Sequence, residues 1–77
     1  MSDVAHIEFI ADGTSDSGKT NRWDVRSTHD GSLLALVRWY GPWRRYVVYP
    51  QAGALFDASC LRSITQFLET EMEVRRG

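Results

Sequence analysis

Apolar and polar positions along the chain alternate in three or four stretches and then change to a helical spacing. From Lys19 to Ser27, Trp23 and Val25 point one way and Arg22, Asp24 and Arg26 the other. That is the period of two expected of a half-buried strand. Leu33 to Tyr40 repeats it, with Ala35, Val37 and Trp39 on one face and Leu34, Leu36 and Arg38 on the other. Asp30-Gly31 lies between the two stretches, in the kind of dipeptide that closes a hairpin. Gly41-Pro42 predicts a tight turn, and Arg44 to Tyr49 a third strand that ends at Pro50, which has no N–H to give to a ladder. Val4 to Ala11 alternates more loosely, as a short strand or extended arm, and Asp12 to Gly18 consists of loop-forming residues.

Beyond a loop from Gln51 to Phe56 the period changes. Asp57 suits a helix N-cap, and Leu61, Ile64, Phe67, Leu68 and Met72 recur every three or four residues. Arg62, Gln66, Glu69 and Glu73 fall on the opposite face, and Arg75 and Arg76 sit where a helix C-terminus favours cations. The expected fold is α+β, an antiparallel β-meander of three to four strands packed against one C-terminal amphipathic helix. Residues 1–18 form an acidic N-terminal strand and loop, and residues 19–77 a single domain. One helix covers one sheet face. Leu34, Leu36, Tyr46 and Val48 are therefore surplus if Trp23, Val37, Trp39 and Val47 also need cover, and a homodimer would bury them.

Composition narrows the function classes. The chain has 77 residues, of which 43% are hydrophobic and 25% charged. A domain of this size buries only about 60% of its unfolded surface, so its core is marginal. Cys60 is the single cysteine, which rules out an intrachain disulfide, and no Cys/His spacing suits zinc. No cofactor is expected. No apolar run approaches the ~20 residues of a membrane span and no leader pattern opens the chain, so the expected location is the cytoplasm.

The net charge of −1 conceals an asymmetry. Asp3, Glu8, Asp12 and Asp16 make residues 1–18 acidic. Lys19, Arg22, Arg26, Arg38, Arg44 and Arg45 outweigh Asp24 and Asp30 in residues 19–50, which also hold every Trp and Tyr. Gly13-Thr14-Ser15-Asp16-Ser17-Gly18-Lys19-Thr20 matches the phosphate-cradling pattern G-x-x-x-x-G-K-[ST]. A true cradle needs a helix directly after it, whose amides and dipole hold the phosphates. Here a strand pattern follows, so the segment reads as a loop. His6 and His29 read as solvated surface residues, Cys60 as a small core residue, and Glu69, Glu71 and Glu73 as a solvated helix end. No Ser, His and Asp stand in a recognisable nucleophile arrangement, and an enzyme is not expected.

The informative segment is Trp39-Tyr40-Gly41-Pro42-Trp43-Arg44-Arg45-Tyr46. Its rings can be core, or they can stack on a flat ligand whose phosphates Arg38, Arg44 and Arg45 would hold. The candidate ligand-binding residues are Arg38, Tyr40, Trp43, Arg44, Arg45 and Tyr46. Alternation does not decide which of these aromatics are core and which are site.

Lys19-Thr20, Trp23-Asp24-Val25, Leu36-Val37-Arg38-Trp39-Tyr40 and Trp43-Arg44-Arg45-Tyr46, followed by Pro50, resemble a family of very small phage-associated proteins. The family pattern is K-T-x-x-W-x-V, then L-G-x-I-K-W-Y-x-x-W-R-x-Y-x-F-x-P, then an amphipathic helix. Phe56, Leu61, Ile64, Phe67 and Leu68 continue the match, which spans residues 19 to 70. Ala35 replaces the usual Gly and Val48 the usual Phe. The resemblance implies a small phage protein of the host-cell cytoplasm that acts by binding. It is similar in size and residue type to oligomeric sponges that sequester nucleotide signals of bacterial immunity. The leading expectation is a non-enzymatic homodimer that sequesters a nucleotide-derived small molecule as an anti-defence protein. The alternative is a protein-interaction module that inhibits a host enzyme. A nucleic-acid binder is disfavoured, since the acidic flanks and a pI near 6.0 oppose a broad phosphate footprint.

Overall fold

The computed structural model describes residues 6–76. Four strands, β1 (Ile7–Thr14), β2 (Asn21–Ser27), β3 (Leu33–Tyr40) and β4 (Arg45–Pro50), form one antiparallel sheet in sequence order. The helix α1 (Ala58–Arg76) packs on one face of it. This is the α+β meander-and-helix arrangement that the alternation predicts, with four strands. β1 starts three residues after Val4, and Val4 and Ala5 lie outside the described residues. It also continues through Asp12–Thr14, where loop-forming residues predicted a loop. Ala11 and Thr14 still pair with Trp23 and Asn21 across a bulge. Pairing with β2 overrides the local preference of Asp12 and Gly13.

The register shows which side chains share a face, because directly opposed residues in an antiparallel pair point the same way. Trp23 opposes Val37, Val37 opposes Val48, and Trp39 opposes Tyr46. These face the helix. Leu36 opposes Tyr49, and Arg38 opposes Val47, on the uncovered face. Tyr46 and Val48 are therefore covered, not surplus, and Val47 and Tyr49 take their place on the open face. Leu34 is corrected too. The β2–β3 register slips between Val25 and Arg26, so that Arg26 opposes Leu33, and Leu34 packs against the core.

Val25, Ala35 and Val37 have no exposed surface and form the core with Tyr46. Helix α1 brings Phe67, Leu68 and Met72 onto them, and its Cys60 and Ile64 are buried as well. The Phe67 ring stacks on Phe9 at 4.0 Å and meets Trp23 edge-on at 5.0 Å. Leu61, counted above in the apolar stripe, is instead half exposed, because buried Cys60 and Ile64 set the inward phase of the first turns. The helix begins at the expected cap: Asp57 Oδ1 accepts the Cys60 N–H at 2.9 Å and the Ser59 hydroxyl at 2.8 Å. Those two bonds, the backbone one first, draw the Asp57 carboxyl down from 3.8 to about 2. At the β2–β3 hairpin Gly31 takes a left-handed φ of 75°, and Asp30 Oδ1 accepts the Ser32 N–H, which lowers the Asp30 pKa.

Candidate ligand-binding site

In a meander, the β1–β2 loop and the β3–β4 turn lie at the same end of the sheet. The C-terminal turn of α1 joins them there, because Arg75 Nη1 donates to the Lys19 carbonyl at 2.9 Å. Lys19, Arg22, Arg38, Arg44, Arg45 and Arg75 all come to this end, although they are spread over most of the chain. It is the basic, aromatic end of the molecule.

The β3–β4 turn is a single 3₁₀ turn, Gly41–Trp43, with Pro42 in its first positions. Trp43 is 64% exposed and meets Tyr40 edge-to-face at 5.0 Å. Arg44 closes the turn in the left-handed region, at φ 54° and ψ 47°, and its N–H donates to the Gly41 carbonyl at 3.0 Å. It is the one non-glycine residue with positive φ among the described residues. Glycine would adopt that conformation without strain, so an arginine there carries a backbone cost of about 1–3 kcal/mol. Arg45 Nε donates back to the Trp43 carbonyl at 3.3 Å. Trp43, Arg44 and Arg45 are thus exposed together at the tip, with Tyr40 half buried behind them.

The other two candidates are placed differently. Arg38 is tied into the sheet. Its Nη1 donates to the Trp23 and Val37 carbonyls, both at 2.8 Å, and its Nη2 lies 3.5 Å from Asp12 and 3.8 Å from Asp24. Tyr46 lies in the core at 5% exposure, edge-on to both Trp23 and Trp39 at 5.3 Å. Its hydroxyl accepts the Asn21 N–H at 3.2 Å.

Beside the tip, a cleft of about 440 Å³ opens between the Ser15–Thr20 loop, the start of β2, the end of β3 and Arg75. Lys19, Arg22, Arg38 and Arg75 line it against a single carboxylate, Asp16. The Arg75 guanidinium lies 4.2 Å from the centroid of the Trp39 ring. Arg22 pairs with Asp12 at 3.7 Å, and its Nε is enclosed with no hydrogen-bond partner among the described residues. Sequence reasoning did not single out Lys19, Arg22 and Arg75 as a site. Nothing local joins Arg75 to a loop 56 residues earlier.

The cradle-like segment Gly13–Thr20 runs from β1 through a turn into β2, with no helix after it. Several of its amides are also engaged within the loop itself. Ser15 N–H donates to the Thr20 carbonyl and Gly18 N–H to the Ser15 carbonyl, both at 2.9 Å. Thr20 N–H donates to Ser15 Oγ at 3.3 Å. With a strand and not a helix after it, the segment lacks the helix N-terminus that a phosphate cradle requires. A larger groove, of about 640 Å³, runs between β4 and α1, and Glu69 and Glu73 border it, which disfavours an anion there.

At the opposite end the exposed rings of His6 and His29 lie 4.5 Å apart. No group of three or more His, Cys, Asp or Glu suited to a metal occurs among the described residues. Cys60 is a buried free thiol, as its sequence context predicts. No helix among the described residues is long and apolar enough to cross a membrane.

No family model matches the chain, and no solved structure matches it. The chain is 32% identical to the uncharacterized 9.3 kDa protein of Acholeplasma phage L2 over 63 residues. That alignment covers 71% of this chain and 81% of the phage protein. With this identity over most of both chains, the protein described here belongs to the same family of small phage proteins.

Proposed function

We propose that this protein is a non-catalytic binding protein that sequesters a small nucleotide-derived ligand, in the manner of a phage anti-defence protein. The observation that carries the reading is the tip: an exposed Trp43 braced edge-on by Tyr40, followed by Arg44 in a strained left-handed conformation and then Arg45. A large exposed indole offers a stacking face for a base, and adjacent guanidiniums offer forks for phosphate oxygens. A strained arginine where glycine would fit supports a role for its side chain. The uncovered sheet face, with Leu36, Val47 and Tyr49, supports association of two copies, and enclosure between copies would supply burial that one small domain lacks.

A thermal-shift screen of the purified chain against nucleotides, cyclic dinucleotides and ADP-ribose derivatives tests the reading. A ligand at 100 times its Kd adds about 2.7 kcal/mol, a shift of several degrees for so small a domain. Trp43→Ala and Arg44→Ala should abolish that shift. The second reading, a module that docks on a host enzyme, draws on the same exposed Trp43, since Trp, Tyr and Arg dominate protein-interface hot spots. It predicts silence across the whole ligand panel.

A further inference from the structure

We infer that the cleft at the basic end is a phosphate site, and that it takes the terminal phosphate or diphosphate of a small anion through Lys19, Arg22 and Arg75. This deepens the reading above and rests on it only for the ring-bearing part of the ligand. The tip would hold the ring and, through Arg44 and Arg45, the phosphate nearest it, and the cleft would hold the terminal charge.

The argument starts from which cations are already committed. Arg38 gives two N–H bonds to carbonyls and faces two carboxylates, so it forms the floor of the cleft and is satisfied. Arg22 is not. Its pair with Asp12 is long at 3.7 Å, and its enclosed Nε–H has no acceptor among the described residues. An enclosed donor without an acceptor is costly, and an oxygen brought into the cleft would let the guanidinium turn and satisfy it. Arg75 is fixed at the rim by one N–H to the Lys19 carbonyl and by its flat face on Trp39. A guanidinium carries five N–H groups, so that posture commits only one of them.

The shape of the charge then selects the ligand. The three cations come from a loop, a strand and a helix end, against Asp16 as the one lining carboxylate. A carboxylate presents two oxygens in one plane and is satisfied by a single fork. A phosphate presents oxygens in several directions, which suits cations arriving from separate elements. Because the cleft is lined by Lys19, Arg22, Arg38 and Arg75 and no helix N-terminus among the described residues opens onto it, recognition here relies on side-chain charge and should be sensitive to salt.

The test is a ¹H–¹⁵N NMR titration of the full chain, observing arginine Nε–H and backbone amides, with inorganic pyrophosphate, ADP and adenosine as separate probes. Pyrophosphate should shift the Arg22 Nε–H signal and the Lys19 and Thr20 amides saturably. Arg22→Gln and Arg75→Gln should each weaken it roughly tenfold or more, as loss of a charged hydrogen bond requires. Leu55→Ala, exposed and outside the cleft lining, should leave pyrophosphate binding unchanged. The same spectra report folding. If Arg22→Gln does not fold, Arg22→Lys, which keeps the charge but loses the fork and the Nε, replaces it with the same expected loss. No saturable shift with pyrophosphate overturns the inference, as do shifts confined to Arg44 and Arg45 or affinities unchanged in both cleft variants. Pyrophosphate binding without any effect of adenosine on the Trp43 indole upholds the cleft and removes the nucleotide reading. ADP binding through Trp43 that ignores Arg22→Gln does the reverse.

Discussion

Val37→Ala probes the packing on which everything else rests. Val37 is fully buried on a central strand, between Trp23 on β2 and Val48 on β4, and is part of the cluster with Val25, Ala35 and Tyr46. Each buried methyl or methylene is worth about 0.8 kcal/mol in transfer alone, so removing two costs about 1.6 kcal/mol. The cavity left behind adds to this, because strands pinned on both sides cannot collapse into it, and the total reaches about 2–3 kcal/mol. A domain of this size has about 4–12 kcal/mol in all, so the loss is a large fraction. Urea unfolding should show it as a lower midpoint with an unchanged slope, and the melting temperature should fall by about 10–20 °C. Leu55→Ala is the control, since Leu55 is 88% exposed, and it should stay within about 0.5 kcal/mol of wild type. A Val37→Ala cost below about 1 kcal/mol, or one equal to that of Leu55→Ala, would refute the assignment of the core.

Three further outcomes follow from individual contacts. The folded Asp57 carboxyl titrates at about 2, below its ordinary 3.8, so its stabilising effect is present above 3.8 and is lost as pH falls toward 2. Melting temperatures between pH 5 and 2 should therefore converge for wild type and Asp57→Ala. Tyr46→Phe removes the acceptor of the Asn21 N–H and should cost about 1 kcal/mol in urea unfolding, while ligand affinity is unchanged because the ring is in the core. Arg44→Gly relieves the left-handed strain and should gain about 0.5–1 kcal/mol in the same assay, while nucleotide affinity falls.

Much of the fold is legible because its signals are local. Leu33–Tyr40 alternates without interruption and forms a strand over those residues. Asp57 caps α1 because only a short polar side chain there can reach the Cys60 N–H. What alternation misses depends on register. A slip between Val25 and Arg26 moves Leu34 to the core, and the phase of α1 turns Leu61 outward in favour of Cys60. Face assignment on β4 needed its pairing with β3, which shows Tyr46 beside Trp39 and not beside Trp43. The tip is legible because Trp43, Arg44 and Arg45 are consecutive. The cleft is not, because Lys19, Arg22 and Arg75 meet only when the helix end folds back onto the β1–β2 loop.

The most direct measurement of the central claim is a fluorescence titration of the chain with the nucleotide panel, run in parallel on wild type and Trp43→Phe. Trp43 is the most exposed large ring of the described chain, so its emission responds to anything that stacks on it. The account predicts a saturable change with at least one nucleotide, weakened by added salt and lost in the variant. Flat titrations across the panel, or a signal that survives Trp43→Phe unchanged, would contradict it.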